Sequence, residues 1–245
     1  ITADSLNIGQ IGGRRNLIIN GAMQVAQRGT QVTGVTTTGY KTCDRYQFIT
    51  SSLGTWTIDQ STDSPDGFSN SLKFTATTAD ASPASGDHAL FRTKIEGQDL
   101  QHLAYGASSA KTMTMSFWVK SNKTGTSQVA FMQIDNSERI FSAPYSISTA
   151  DTWEQKTITI DGDSSGLFNN DNGTGLQLEW WLNSGSSFTG GSADSTWKAL
   201  SETSRNASNL GVGGAINDYF AITGVQLEVG SVATPFEHRS YGEEL

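Results

Sequence analysis

Disulfides, membrane spans and helices are all scarce or missing in this chain, and each shortage narrows the field. Cys43 is the single cysteine among 245 residues, so no intramolecular disulfide framework can form and the redox compartment stays open. Its expected place is a small core position or an inert surface one. Charged residues make up only 16%, and the acids outnumber the bases to leave a formal charge of −8. Nucleic-acid binding is excluded on that ground, because phosphate contacts need clustered Lys and Arg. No window approaches 18 uninterrupted apolar residues, which argues against an inserted membrane helix. No basic stretch with an apolar core opens the chain as a secretion signal would.

Catalytic groupings are equally scarce. His88, His102 and His238 are far apart, with no two at metal-ligand spacing. No Gly-x-Ser-x-Gly elbow is present, and Arg14 and Arg15 follow the glycines at 9–13 where a phosphate loop would place Lys and Ser or Thr. Two carboxylates at glycosidase spacing are not marked by any pattern. The expectation is a protein that is not an enzyme.

Strand signals and turn clusters fill the sequence instead. Short alternating runs recur at 16–20, 45–49, 55–60, 71–75, 88–95, 112–120, 128–134, 153–160, 176–182 and 219–229. Between them lie turns such as Asp63-Ser64-Pro65-Asp66-Gly67 and Asp161-Gly162-Asp163-Ser164-Ser165-Gly166. About ten antiparallel strands without intervening helices predict an all-β sandwich or barrel. Two short helical stretches are expected, at 98–105 and from Tyr241 onward. Gly224 shifts the strand phase by one residue, as a β-bulge does. The Gly-, Ser- and Asn-rich stretch 183–217, with an isolated Trp197, reads as a long surface excursion. Ile1 opens the chain without a methionine. Residues 1–15 are therefore expected to be a connector arm from an upstream module, with one domain over 16–245.

Two strands carry an unusual outward pattern. In 112–120, Met113, Met115, Phe117 and Val119 share one face, which leaves Trp118 among hydroxyls on the other. In 176–182, Leu176, Leu178, Trp180 and Leu182 point inward, while Gln177, Glu179 and Trp181 point away. An indole flanked by amides and carboxylates suits a sugar, whose CH groups stack and whose hydroxyls take paired hydrogen bonds. Trp118, Trp181, Gln177 and Glu179 are the expected ligand face, joined by Arg92 because Ala89, Phe91, Thr93 and Ile95 form that strand's buried side. The competing reading is a packing interface, against another subunit or a covering loop. In that case sugar contacts move to the loops, 183–217 first among them. Trp56, Trp153 and Trp180 are assigned to core or strand-edge packing. Asp161, Asp163 and Asp171, with the nearby asparagines, supply oxygens of the kind that hold Ca²⁺, against the alternative of a solvated acidic turn.

An ordered series of short motifs adds a resemblance. Asn16-Leu17-Ile18-Ile19-Asn20-Gly21-Ala22-Met23-Gln24, Asp44-Arg45-Tyr46, Lys94-Ile95-Glu96-Gly97-Gln98-Asp99-Leu100, Ser116-Phe117-Trp118-Val119-Lys120, Ile222-Thr223-Gly224-Val225-Gln226-Leu227 and Pro235-Phe236-Glu237-His238 follow one another along the chain. Together they resemble a domain of tail fibres and tail-associated adhesins in phages of aquatic bacteria. More distantly, the pattern is similar to jelly-roll carbohydrate-binding modules. The resemblance implies a jelly-roll sandwich, homotrimeric within a virion fibre, that attaches to host surface polysaccharide without cleaving it. It also implies other tail proteins as partners on the N-terminal side, and structural Ca²⁺ occurs among related sugar-binding jelly rolls. Two alternatives stay open: a structural fibre or capsid-decoration module, and a binding module or depolymerase part of a polysaccharide-degrading protein.

Overall fold

The computed structural model describes residues 14–135 and 137–245. The described residues form a jelly-roll sandwich of two antiparallel sheets. The six-stranded sheet runs β1 (Gln31–Val35), β4 (Thr55–Ser61), β5 (Ser71–Thr78), β13 (Tyr219–Val229), β7 (Met113–Ser121), β10 (Glu154–Ile160). The seven-stranded sheet runs β12 (Trp197–Ala199), β9 (Arg139–Ile147), β8 (Gly125–Gln133), β11 (Thr174–Ser184), β6 (His88–Glu96), β3 (Gln47–Ser51), β2 (Gly39–Tyr40).

Alternation along these strands turns one apolar set into the space between the sheets. Aromatic rings dominate that space. Phe91 of β6 stacks on Phe74 of β5 with centroids 4.6 Å apart, and on Trp180 of β11 at 5.3 Å with the rings nearly parallel. Phe220 of β13 lies 5.8 Å from the same ring. Phe48 extends the stack to Trp56, and Phe117 joins Trp180 to Tyr145. Trp56 and Trp180 are thus core residues, while Trp153 is half-buried with its indole N–H donating to Asp63.

Nine of the ten expected runs are strands. The run at 16–20 is not. Its backbone is held by side chains and by single hydrogen bonds to β13, such as Leu17 N–H to the Leu227 carbonyl at 2.8 Å, rather than by a continuous ladder. Asn16 is buried; its Nδ2 donates to the Val225 carbonyl, and its Oδ1 accepts from the Ile18 and Leu227 amides. Asn20 is fully buried and donates to the Val25 and Asp44 carbonyls. The expected bulge accounts for this arrangement. Register between β13 and β7 slips between Thr223 and Gln226, with Gly224 at φ 61°. The slip frees the Val225 backbone from the ladder, and its N–H donates to Gly21 while its carbonyl takes Asn16. Gly21 is required for this contact, since a Cβ there would meet the Val225 oxygen at 2.1 Å.

Four short or irregular strands escaped the sequence pattern: β1, β2, β9 and β12. β9 has the reason on its face, with Pro144 and three serine or alanine positions diluting its alternation. The helical stretches are 3₁₀ turns, Gly97–Leu103 and Tyr241–Glu243. Of the expected arm, residues 1–13 lie outside the described residues. Residues 14–25 pack onto the domain together with the closing segment, where Glu237 accepts the Arg15 and Asn16 amides.

Cys43 is a core residue at 1% exposure, and burial pushes its thiol up to about 12. It should resist iodoacetamide in the folded protein and react only once denaturant is added, as mass spectrometry of the alkylated chain would show. At the bulge, a Gly224→Ala side chain would stand 2.7 Å from Phe68 Cζ and 3.0 Å from Trp118 Cδ1 on left-handed backbone. We expect it to lower unfolding free energy by about 1–3 kcal/mol, measured by urea titration.

Candidate functional site

The structure divides the expected ligand face. Trp118 lies on β7 of the six-stranded sheet, whereas Trp181, Gln177 and Glu179 lie on β11 and Arg92 on β6 of the seven-stranded one. One surface cannot present both indoles, because each points outward from the opposite side of the sandwich. Trp118 is half-buried against Gly224 beside Phe68, and Phe68 packs with Phe236 and His238 at 5.0 and 5.3 Å.

Trp181, Gln177 and Glu179 are not exposed either, at 1%, 4% and 0%. The covering-loop alternative describes them: the excursion after β11 folds back over the outer face of its own strand. Arg205 descends from that loop and grips Glu179 with two hydrogen bonds, Nη2 to Oε1 at 2.7 Å and Nε to Oε2 at 3.1 Å. Gln177 and the Trp181 indole donate to the same carboxylate. The Arg205 guanidinium sits 5.1 Å over the Trp181 ring, and Phe188 closes on that ring at 5.0 Å. Loop backbone is fixed as well, since Gln128 and Ser142 donate to the Ser204 carbonyl. Burial alone would lower the Arg205 pKa; the Glu179 and Glu202 charges and hydrogen bonds outweigh it and leave it raised.

The acidic turn does not assemble as expected. Asp163 is buried, with its carboxylate held by Arg139 and by Gln133 at 2.8 Å. Asp171 is exposed and closes a turn onto the Gly173 amide, and Asp161 is exposed with its carbonyl bonded to Trp197. Among the described residues no group of three or more His, Cys, Asp or Glu is placed to hold a metal ion. An ion pair and local hydrogen bonds occupy the Asp163 carboxylate and one Asp171 oxygen, two of the groups the spacing had suggested for Ca²⁺.

What remains open is the other half of the same sheet face. Register aligns Tyr40, Gln47, Arg92 and Glu179 across β2, β3, β6 and β11 in one outward row. The loop covers Glu179 and stops at Arg205. Beyond it Arg92 is half-buried and donates Nε to Gln47 Oε1 at 3.0 Å. Lys94, two residues along β6, shares its face and is exposed. Tyr40 is 44% exposed, with Arg28 lying 5.5 Å over its ring. The ring stands between two hollows. One, of about 220 Å³, is lined by Leu17, Tyr40, Arg45, Lys94, Asp99 and Asn172 among others. The second, of about 290 Å³, adds Gln27, Arg28 and Asp44. Arg45 lines both. Its φ of 73° is uncommon for a side-chain-bearing residue, and it turns the guanidinium to solvent between buried Asp44 and buried Tyr46. Of the sequence-derived site residues, only Arg92 belongs to this surface. Tyr40, Gln47, Arg45 and Lys94 were missed, although Arg92 and Lys94 share the alternation that singled out Arg92.

No protein-family model and no curated protein matches the chain. Several solved structures do. The enzymatically active domain of tailspike protein 4 from bacteriophage CBA120 matches at 13% identity with a TM-score of 0.43, over 87% of this chain and 21% of that one. The chain thus spans about a fifth of that tailspike domain's length. A candidate sugar-binding protein of Bacteroides thetaiotaomicron matches at 12% identity and TM-score 0.48, over 88% of this chain and 100% of its own. The family 11 carbohydrate-binding module of Clostridium thermocellum, in complex with a β-1,3-1,4-mixed-linked tetrasaccharide, gives 7% identity and TM-score 0.40, over 84% of this chain and 98% of the module.

The clasp on Glu179 generates a prediction. Arg205→Ala should cost about 3–5 kcal/mol, because it strands a buried carboxylate, and should raise amide hydrogen exchange across 185–210. Glu202→Ala removes only the exposed partner of Arg205 and should stay within about 1 kcal/mol.

Proposed function

We propose that this chain is a glycan-binding module of a phage tail fibre, which attaches the virion to host surface polysaccharide without cleaving it. The observation that carries the reading is the exposed Tyr40 ring between two hollows, in line with Gln47 and Arg92 on a sheet face otherwise covered by loop. A flat ring with hydrogen-bonding groups in register matches a pyranose, which offers CH groups to the ring and oxygens to the donors. The ordered motif series supports the fibre setting and, with it, a trimer. The opposite sheet fits that assembly. Trp118, Phe68 and Phe236 gather on its outer face, and we assign this cluster to the contact between subunits. Each site would bind weakly, and three sites on one fibre would multiply avidity through effective concentration.

The test is a glycan array followed by calorimetry with soluble oligosaccharides, which reads the single-site Kd. Tyr40→Ala should weaken that Kd by about tenfold or more, as loss of a stacking ring does. Trp118→Ala should leave it unchanged while reducing the mass measured by light scattering. No new reducing ends should appear. A parent protein that binds no glycan, or a Tyr40→Ala variant that binds as well as the parent, would sink the reading.

A further inference from the structure

We infer that the glycan is acidic, and that its carboxylate or sulfate seats between Arg92 and Lys94 on the open half of the seven-stranded face. This deepens the proposed function and rests on it. The first support is geometric. Residues two apart on a strand share a face and stand about 7 Å apart, a gap that one oxyanion bridges from both sides. The second is that these two cations have no anion of their own. Among the described residues no carboxylate lies within 4.0 Å of either; the same is true of Arg14, Lys41, Arg45, Lys73 and Lys111, but Arg92 and Lys94 are the two such cations that stand side by side on one strand face. Glu179 is the cross-strand neighbour of Arg92, yet both its oxygens are taken by Arg205, Gln177 and Trp181.

The local electrostatics agree. Partial burial and then the Arg92 charge hold the Lys94 ammonium below the usual lysine range, with Glu179 only partly opposing. Burial also lowers Arg92 against the pull of Glu179 and Tyr40, and Arg205 adds to the lowering. Such crowding of cations in a chain of net charge −8 is relieved by an incoming anion. Acids do stand nearby. Glu96 follows Lys94 on the same face of β6 and lines the smaller hollow with Asp99; Gln98 donates to Glu96, and neither acid counts among the charges that shift Lys94.

Hydrogen-bonding capacity gives the third support. Arg92, Lys94 and Arg45 are donors only, and the Gln47 carbonyl oxygen already accepts from Arg92. A neutral sugar presents hydroxyls, each of which needs an acceptor as well as a donor to be fully satisfied. Carboxylate and sulfate present acceptors alone, which is what the Arg92 and Lys94 pair can serve, while Glu96, Asp99 and Asn172 in the hollow beside it remain as acceptors for the sugar's hydroxyls.

The experiment titrates the full chain, at low and high salt, with oligoguluronate as carboxylate probe, oligo-carrageenan as sulfate probe, and laminarin and dextran oligosaccharides as neutral probes. At least one acidic probe should bind, more weakly at high salt, and the preferred probe identifies the anion. Lys94→Gln and Arg92→Gln should each weaken that binding by about tenfold or more, and Lys94→Arg should retain most of it. Lys156→Gln, on the opposite sheet, should change nothing; an equal loss there would reduce the effect to overall charge and overturn the inference. Neutral probes binding as well as acidic ones, or an unchanged Kd in Lys94→Gln, would overturn it too while leaving the proposed function standing. Failure of every glycan would defeat both.

Discussion

The aromatic stack through Phe91 is the constraint on which the rest of the molecule depends. Its ring meets partners from both sheets, Phe74 and Phe220 on one side and Trp180 on its own. Because side chains alternate along a strand, burying Phe91 leaves Arg92 no choice of direction. The same holds one strand over, where Trp180 goes inward and Trp181 outward. The outward rows of the seven-stranded sheet are thus dictated by the packing of its inward rows. A register slip of one residue would expose the stack and bury Arg92 and Lys94 together, which makes the alternative register prohibitive.

The bulge at Gly224 shows how the termini are tied to this frame. β5 pairs with β13 only as far as Ile222, so past that point the free edge of β13 offers its backbone, including Leu227, to the opening segment. The left-handed glycine breaks the ladder for one residue, and Asn16 and Gly21 take what it releases. Buried asparagine amides are costly unless saturated, and here they are nearly saturated by backbone groups. The two motifs at opposite ends of the sequence are one structural element in space. Their residues serve to close the fold, which explains why a motif series can be specific without any member touching a ligand.

Nine of the strands, the bulge and the inward sets were legible from the alternation alone, since burial on one face imprints directly on a strand of period two. The site was legible only at Arg92. Trp181 drew attention because an outward tryptophan is rare among polar neighbours, but alternation reports which side of a sheet a residue faces and not what lies on top. That depended on Arg205, 24 residues away and in a loop of low apolar content. Trp118 and Trp181 have the same local pattern, and nothing in that pattern records that they belong to different sheets. Tyr40 had the opposite problem. Its strand is two residues long and, among the described residues, pairs only with β3, too short to show any period.

The covering loop also decides which part of the face is left to work. It is held by an ion pair rather than by apolar packing alone. Such a pair adds little net stability over a hydrophobic substitute but tolerates few alternative placements, because Glu179 must be met in register. Arg205 therefore marks a fixed border. On one side of it the carboxylate is saturated and the indole is roofed; on the other, Arg92 and Lys94 are left with hydrogen-bond capacity and no counter-charge. Had the loop reached β6 with a second acid, the sheet would be neutral and closed. By ending where it does, the same clasp that buries the most conspicuous ring in the sequence leaves a donor-rich strip open beside Tyr40.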